Sequence, residues 1–190
     1  MKRKAVFLII LLVAAGTCHA GESDWRFKFF GIDVNDFKGR SIFKIALGVG
    51  ASFLAHEAGH FIAGYAVGHE VHMRHGAAWA DDYENMSTTE KEIFHGGGFI
   101  AQVLVGTVIT AIPATRHSDF SLGFNAATAS VVGGYAFKTN NESHPHSDVA
   151  QMRYGAAAAV TTAAYAAALT YINLDKYRWA DEMATDEGEQ

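Results

Sequence analysis

Four long apolar stretches dominate this chain of 190 residues. They run Ile42 to Val67, Gly96 to Ala114, Phe120 to Phe137 and Val149 to Ile172. Each is about long enough to cross a bilayer as a helix of roughly 20 residues, and a soluble buried helix is rarely this free of charge on every face. The sequence therefore predicts an all-α fold, a polytopic membrane helical bundle with about four spanning helices. A soluble helical bundle is the alternative, because abundant Ala and Gly weaken the hydropathy signal.

The first twenty residues have the pattern of a secretory signal peptide. Lys2, Arg3 and Lys4 precede an apolar core, and Ala20 supplies a small residue for cleavage. We expect residues 1–20 to be removed, although an uncleaved anchor helix would carry the same pattern. Cys18 is the only cysteine, so a metal in the mature chain must be held by His, Asp or Glu.

The remaining segments follow from charge and aromatic content. Residues 21–40 mix aromatic rings with Lys and Arg, as in a segment at a membrane interface, although a short packed extension fits equally well. Residues 41–173 form the predicted membrane-embedded domain, and residues 174–190 form an acidic tail. The net charge of −5 gives no reason to expect a nucleic-acid partner. We expect an integral, multi-pass protein of the cell envelope, with the lipid bilayer as its surroundings.

The first apolar stretch contains the motif His56-Glu57-Ala58-Gly59-His60. Residues four apart lie on one face of a helix, so the imidazoles of His56 and His60 can share one metal ion. Glu57 lies one step round the helix and can act as a general base toward water. Ionisable groups in an apolar stretch are costly and are usually functional, so the motif predicts a zinc site. The alternative is a solvent-exposed helix face with two unrelated histidines.

A catalytic zinc site takes three protein ligands and leaves one position open. The best candidate for the third ligand is Asp148, which opens the fourth apolar stretch and needs a cationic partner there. Asp148 would instead only cap its helix, together with Ser147, if no metal were bound. His144 and His146 are rival ligands, or partners that orient a ligand.

Further polar residues lie near these stretches. Gln102 is a polar residue in the second apolar stretch and is a candidate for binding a substrate carbonyl or an oxyanion, or else for bonding to a neighbouring helix. The run Gly96-Gly97-Gly98 fits a hinge or a close approach of two backbones. The cluster His69, His72 and His75 is a weak candidate for a second metal and fits a polar loop better.

Together these motifs resemble those of the site-2 protease family of intramembrane zinc metalloproteases. His56-Glu57-Ala58-Gly59-His60-Phe61 resembles the family's metal-binding helix motif. The segment from Gly97 to Gln102 is similar to its small-residue motif, with Gln in place of the usual Asn. Asp148 falls where the family has its aspartate ligand, although Val149 replaces the Gly that usually follows.

The resemblance implies a membrane-embedded zinc metalloendopeptidase. Its zinc ligands would be His56, His60 and Asp148, its general base Glu57, and its substrate a protein in or near the membrane. The sequence also fits two other hypotheses about function: a membrane protein that binds metal without proteolysis, and an exported helical protein with a fortuitous motif.

Overall fold

A computed structural model describes residues 28–29, 32–33, 39–136 and 148–174. This part of the chain is mostly helical. Its α-helices are α1 (Ile42–Ala66), α2 (Thr88–Ala111), α3 (Pro113–Arg116), α4 (Asp119–Ala136), α5 (Asp148–Gln151) and α6 (Gly155–Leu174), and a short 3-10 helix spans Tyr83–Asn85. Its strands are β1 (Lys28–Phe29), β2 (Ile32–Asp33), β3 (Val71–Arg74) and β4 (Ala77–Ala80), paired antiparallel as β1 with β2 and β3 with β4.

The chain divides into two compact units, Met1–Ile42 and Phe43–Gln190. In the first, the described strands β1 and β2 pair Lys28 with Asp33 and Phe29 with Ile32. The second unit contains the candidate site. The predicted signal peptide and nearly all of the predicted acidic tail lie outside the described residues, as do His144, His146 and Ser147.

Three helices, α1, α2 and α6, are long and apolar enough to cross a membrane. At a rise of about 1.5 Å per residue, the shortest of them matches the roughly 30 Å hydrocarbon core of a bilayer. Large apolar side chains on α1 and α2, including Phe43, Leu54, Ile62 and Ile100, point away from the protein interior. These surfaces suit contact with lipid, and they support association of this unit with a membrane.

Helix α4 corresponds to the third apolar stretch but is not among the three candidate spans, so the predicted count of four is not confirmed. It has 18 residues and lies largely inside the unit, where Leu122, Phe124 and Val132 are fully enclosed. It also buries Asn125 and Thr128, whose hydrogen bonds are made within the protein. Because these polar residues face the protein interior, they make the helix less apolar without placing polar groups against lipid.

The fourth apolar stretch is divided into two helices. Helix α5 ends at Gln151 and α6 begins at Gly155. A side chain at Gly155 would collide with the backbone carbonyl of Val149, so glycine permits the tight approach of the two segments. Asp148 therefore lies on a short helix of its own rather than on the long apolar one.

The polar segment between α1 and α2, expected to be a loop, contains the β3–β4 hairpin. His75 and Gly76 form its turn with φ of 53° and 82°, the positive values that a two-residue hairpin turn requires. The hairpin is anchored by a buried apolar cluster made of Val71, Ala80, Tyr83, Met86 and Phe94. Sequence reasoning missed it because the strands are short and His and Arg interrupt the apolar pattern.

Helix α2 begins well before Gly96, where its apolar stretch begins. Ser87 caps it: the Ser87 hydroxyl accepts from the Glu90 backbone N–H at 3.3 Å, and the Glu90 carboxylate accepts from the Ser87 N–H at 2.7 Å. This capping box satisfies two backbone donors at the helix start. It places the first turns of α2, including His95, beside the hairpin rather than in the apolar stretch.

Candidate metal centre

Glycines allow α1 and α2 to approach closely at the level of the motif. A methyl group on Gly97 would lie 2.5 Å from the Ala63 side chain and 2.6 Å from the Gly59 carbonyl oxygen. Only a residue without a side chain fits a contact this close. The interpretation of the Gly96–Gly98 run as a place of close backbone approach is therefore confirmed at Gly97.

Three predicted ligands converge at this crossing. Nε2 of His56 lies 3.0 Å from Nε2 of His60 and 3.0 Å from Oδ2 of Asp148. Nε2 of His60 lies 3.5 Å from Oδ1 of Asp148. His56 and His60 are buried, one helical turn apart on α1, and α5 supplies the carboxylate from the far side. These three side chains form a group that could hold a metal ion.

The group fits zinc in composition and size. Zinc takes imidazole nitrogen and carboxylate oxygen at 2.0–2.2 Å, so donors of a tetrahedral site lie about 3.3 Å apart. The separations from Nε2 of His56 to Nε2 of His60 and to Oδ2 of Asp148, 3.0 Å each, are close to that value. A zinc ion held by these three donors would keep one coordination position for another molecule.

The tautomer of His60 is set by the backbone. Its Nδ1 donates a hydrogen bond to the carbonyl oxygen of Phe94 at 2.7 Å, which leaves the lone pair of Nε2 directed at Asp148 and His56. A carbonyl can only accept, so Nδ1 must carry the proton. A ligating histidine held by its other nitrogen in this way is the usual arrangement in metal sites.

His56 is oriented by Gln102. Nδ1 of His56 lies 3.1 Å from Oε1 of Gln102, whose amide nitrogen donates to the Ser52 hydroxyl at 3.0 Å and to the Ser52 carbonyl at 3.3 Å. Because the amide nitrogen faces Ser52, the amide oxygen must face His56, and His56 donates from Nδ1. Ser52 in turn bonds Thr128 of α4 at 2.9 Å. Two imidazole lone pairs therefore face each other and a carboxylate, an arrangement that a cation stabilises.

The position of Gln102 bears on its predicted role. Its side chain is buried, and both ends of the amide are engaged by α1. The bond to a neighbouring helix, one of the two alternatives, is thus present. An oxyanion or substrate contact of Gln102 stays a prediction.

Gly98 faces both imidazoles. A methyl group there would lie 2.6 Å from Cε1 of His56 and 2.7 Å from Nε2 of His60. The rings occupy the space that a side chain at this position would need. Gly98 therefore belongs to the site, because its lack of a side chain leaves space for the rings of His56 and His60.

Asp148 has a further partner, His95. Nδ1 of His95 lies 2.7 Å from Oδ1 of Asp148, and Nε2 of His95 lies 2.7 Å from the Tyr83 hydroxyl. Burial alone would raise the pKa of the Asp148 carboxyl, but the surrounding imidazoles of His56, His60 and His95 outweigh burial and hold that pKa below its ordinary range. Asp148 is thus ionised, and it accepts a hydrogen bond from Nδ1 of His95.

The carboxylate of Glu57 contacts the hairpin. Its Oε2 accepts a hydrogen bond from the backbone N–H of Ala78 in β4 at 2.6 Å. Glu57 directly follows His56 on α1 and is half-buried. The hairpin therefore covers the side of α1 on which the predicted base lies.

The three loop histidines do not form a metal group of their own. His69 bonds Asp82 at 2.8 Å, whereas His72 lies 3.1 Å from Asp81. Glu70, His72 and Asp81 together are a second set of potential ligands, but all three are exposed, and Arg74 already pairs with Asp81 at 2.7 Å. This group gives no independent sign of a metal.

Sequence reasoning assigned no role to His95 and did not consider Tyr83. The available signal was weak: His95 directly precedes the glycine run of α2, and Tyr83 is an aromatic residue in an acidic loop. Neither belongs to a spacing pattern that indicates metal binding.

Comparison of the chain with protein-family models, with curated proteins and with solved structures finds no match. Any function proposed for this chain therefore depends on the chemistry of its own residues.

Proposed function

We propose that this protein is a membrane-embedded zinc metalloprotease that hydrolyses peptide bonds of proteins in or near the membrane. The observation that carries the proposal is the convergence of His56, His60 and Asp148, with Glu57 adjacent on the same helix. Two imidazoles and one carboxylate, with a glutamate next to the first histidine, are the residue types of zinc hydrolases.

His56, His60 and Asp148 would hold the ion. When bound, zinc supplies a Lewis acid that polarises a carbonyl and makes water a stronger acid. Gln102 and the Phe94 carbonyl fix the two imidazoles in the tautomer that offers Nε2. Glu57 would accept a proton from the attacking water and return it to the leaving amine.

For Glu57 to act as the base, one of its oxygens must face water. The Ala78 N–H bonds Oε2 at 2.6 Å and holds the carboxylate in one orientation. Oε1 is then the oxygen of this carboxylate that would accept the proton.

The location of the substrate follows from the helices that hold the site. Helix α1 is a candidate span and carries both histidines, and α2 is another and carries Gln102 and Gly98. A peptide reaching this site would do so within or beside the lipid. We extend the proposal to a multi-pass arrangement in the cell envelope, with α4 as a fourth, enclosed helix.

A metal-binding membrane protein without proteolytic activity is the alternative. The bond between Glu57 and Ala78 favours it, because a carboxylate occupied by a backbone donor can serve structure alone. Substitution of Glu57 separates the two, since metal binding does not require the base but hydrolysis does.

The experiment uses the full chain, purified in detergent and returned to phosphatidylcholine vesicles with a panel of fluorophore-labelled single-span peptides. We expect Glu57→Gln to retain zinc by elemental analysis and to lose cleavage. Glu70→Gln, at an exposed position just before the hairpin, is the matched control and should cleave like the wild type. Cleavage by Glu57→Gln at the wild-type rate would exclude Glu57 as the base, and zinc retention without cleavage by any form would favour the alternative.

A further inference from the structure

We propose that His95 and Tyr83 act together as a positioning pair for Asp148. The pair holds Oδ1 of that carboxylate in a hydrogen bond with His95 and directs Oδ2 to the metal position. This inference rests on the proposed function, since it treats Asp148 as a metal ligand. It assigns a role in metal binding to two residues outside the ligand set.

The two oxygens of Asp148 have different surroundings. Oδ1 lies 2.7 Å from His95 and 3.5 Å from His60, whereas Oδ2 lies 3.0 Å from Nε2 of His56. The shortest contact of the carboxylate is therefore with a ring outside the group of three ligands. A carboxylate bound in this way has one oxygen committed to a hydrogen bond and the other available to an ion.

The direction of each hydrogen bond follows from Asp148. An ionised carboxylate only accepts, so Nδ1 of His95 carries the proton and Nε2 holds a lone pair. The Tyr83 hydroxyl, 2.7 Å away, donates to that lone pair. Burial and the nearby carboxylates of Glu84 and Asp148 raise the pKa of Tyr83 to about 12, so the hydroxyl keeps its proton at neutral pH. Tyr83, His95 and Asp148 thus form one directed chain.

Packing fixes both rings of the pair. Tyr83 belongs to the buried cluster under the hairpin, and its ring lies edge-on to His95 with centroids 5.5 Å apart. Phe94 contacts His95 in the same manner at 5.2 Å. Buried polar groups need a partner, and among the residues that the structure describes Tyr83 finds it in His95, and His95 finds it in Tyr83 and Asp148. A rigid support of this kind holds a ligand in the geometry that a metal needs.

The test measures metal binding to the full chain in detergent, without reference to peptide cleavage. Zn²⁺ affinity is determined by competition with a chelator, and Co²⁺ is used as a probe because its absorption spectrum reports the geometry of its ligands. We expect His95→Ala to weaken Zn²⁺ binding about 10- to 100-fold and to change the Co²⁺ spectrum. Tyr83→Phe, which removes one hydroxyl, should weaken binding about threefold to tenfold.

Two matched controls remove the same groups elsewhere. His69→Ala deletes another histidine that bonds an aspartate, Asp82, at 2.8 Å. Tyr165→Phe deletes a hydroxyl that lies 2.9 Å from the Thr107 hydroxyl. Both controls should bind Zn²⁺ and Co²⁺ like the wild type.

The variant His95→Asn distinguishes positioning from packing. Its amide nitrogen takes a place near that of Nδ1, so it should restore affinity to within about threefold of the wild type and restore the Co²⁺ spectrum. Because Asn offers nothing at the Nε2 position, adding Tyr83→Phe to His95→Asn should have no further effect.

The proposal would be overturned if His95→Ala left the Zn²⁺ affinity and the Co²⁺ spectrum unchanged. It would also be overturned if the losses of Zn²⁺ affinity caused by His95→Asn and by Tyr83→Phe added up in the double variant. If His95→Ala does not fold, Tyr83→Phe and His95→Asn still decide, since both keep most of the side-chain volume. Failure of the wild type to bind either ion would instead remove the metal centre and with it the proposed function.

Discussion

Oδ2 of Asp148 lies 3.0 Å from Nε2 of His56, although 92 positions separate the two residues in the chain. His60, one turn along α1, completes the group. The contact joins a long apolar helix to the first turn of the short helix α5, and the candidate metal centre depends on it.

Substitution of Asp148 tests whether this residue is a ligand or only a helix-terminal acid. We expect Asp148→Ala to lose most bound zinc, because two histidines remain and the carboxylate charge is gone. Asp119→Ala is the matched control, since Asp119 also lies in the first turn of its helix, α4, outside the metal group. Elemental analysis of the purified proteins measures the difference.

His144→Ala and His146→Ala belong in the same series, because both were rival ligands on sequence grounds. If either loses zinc while Asp148→Ala retains it, the third ligand is a histidine and the assignment of Asp148 is wrong.

Substitution of Gln102 tests the orientation of His56. Gln102→Met keeps the length of the side chain but removes the acceptor for Nδ1 of His56, so zinc binding should weaken about 10-fold or more. Gln102→Glu keeps an oxygen toward His56 and should bind zinc more tightly than Gln102→Met. Chelator competition gives both constants, and equal constants for wild type and Gln102→Met would show that His56 needs no such support.

Gly98→Ala tests the space beside the two imidazoles. The added methyl group would lie 2.6 Å from a carbon of the His56 ring, so we expect displaced rings and at least a 10-fold loss of zinc affinity. Gly50→Ala on α1 is the control, because a methyl group there meets nothing within 4 Å. Replacement of a helical glycine by alanine should stabilise that control by about 0.5–1 kcal/mol in thermal unfolding, with zinc binding unchanged.

Extraction of membranes tests the location of the chain. Three helices with apolar outer surfaces predict that the protein stays in the membrane pellet after washing with alkaline carbonate and is released by detergent. Release by carbonate alone would show that these helices do not span the bilayer and would favour the soluble helical bundle.

The sequence by itself determined the features that depend on near neighbours. Apolar stretches with few charged residues gave long helices at α1, α2, α4 and α6. The four-residue spacing of His56 and His60 placed both rings on one face of α1, because helical periodicity is local. The pairing of Ser87 with Glu90 likewise encodes the start of α2 within four residues.

The tertiary structure decided which groups meet. The glycines at 59 and 97 set how closely α1 and α2 approach, and this packing brings Gln102 to His56 and the Phe94 carbonyl to His60. The break before Gly155 directs α5, and hence Asp148, toward His95. Such contacts depend on the shapes of distant surfaces and leave no periodic trace in the chain, so the sequence could name candidate ligands but could not reveal the residues that orient them.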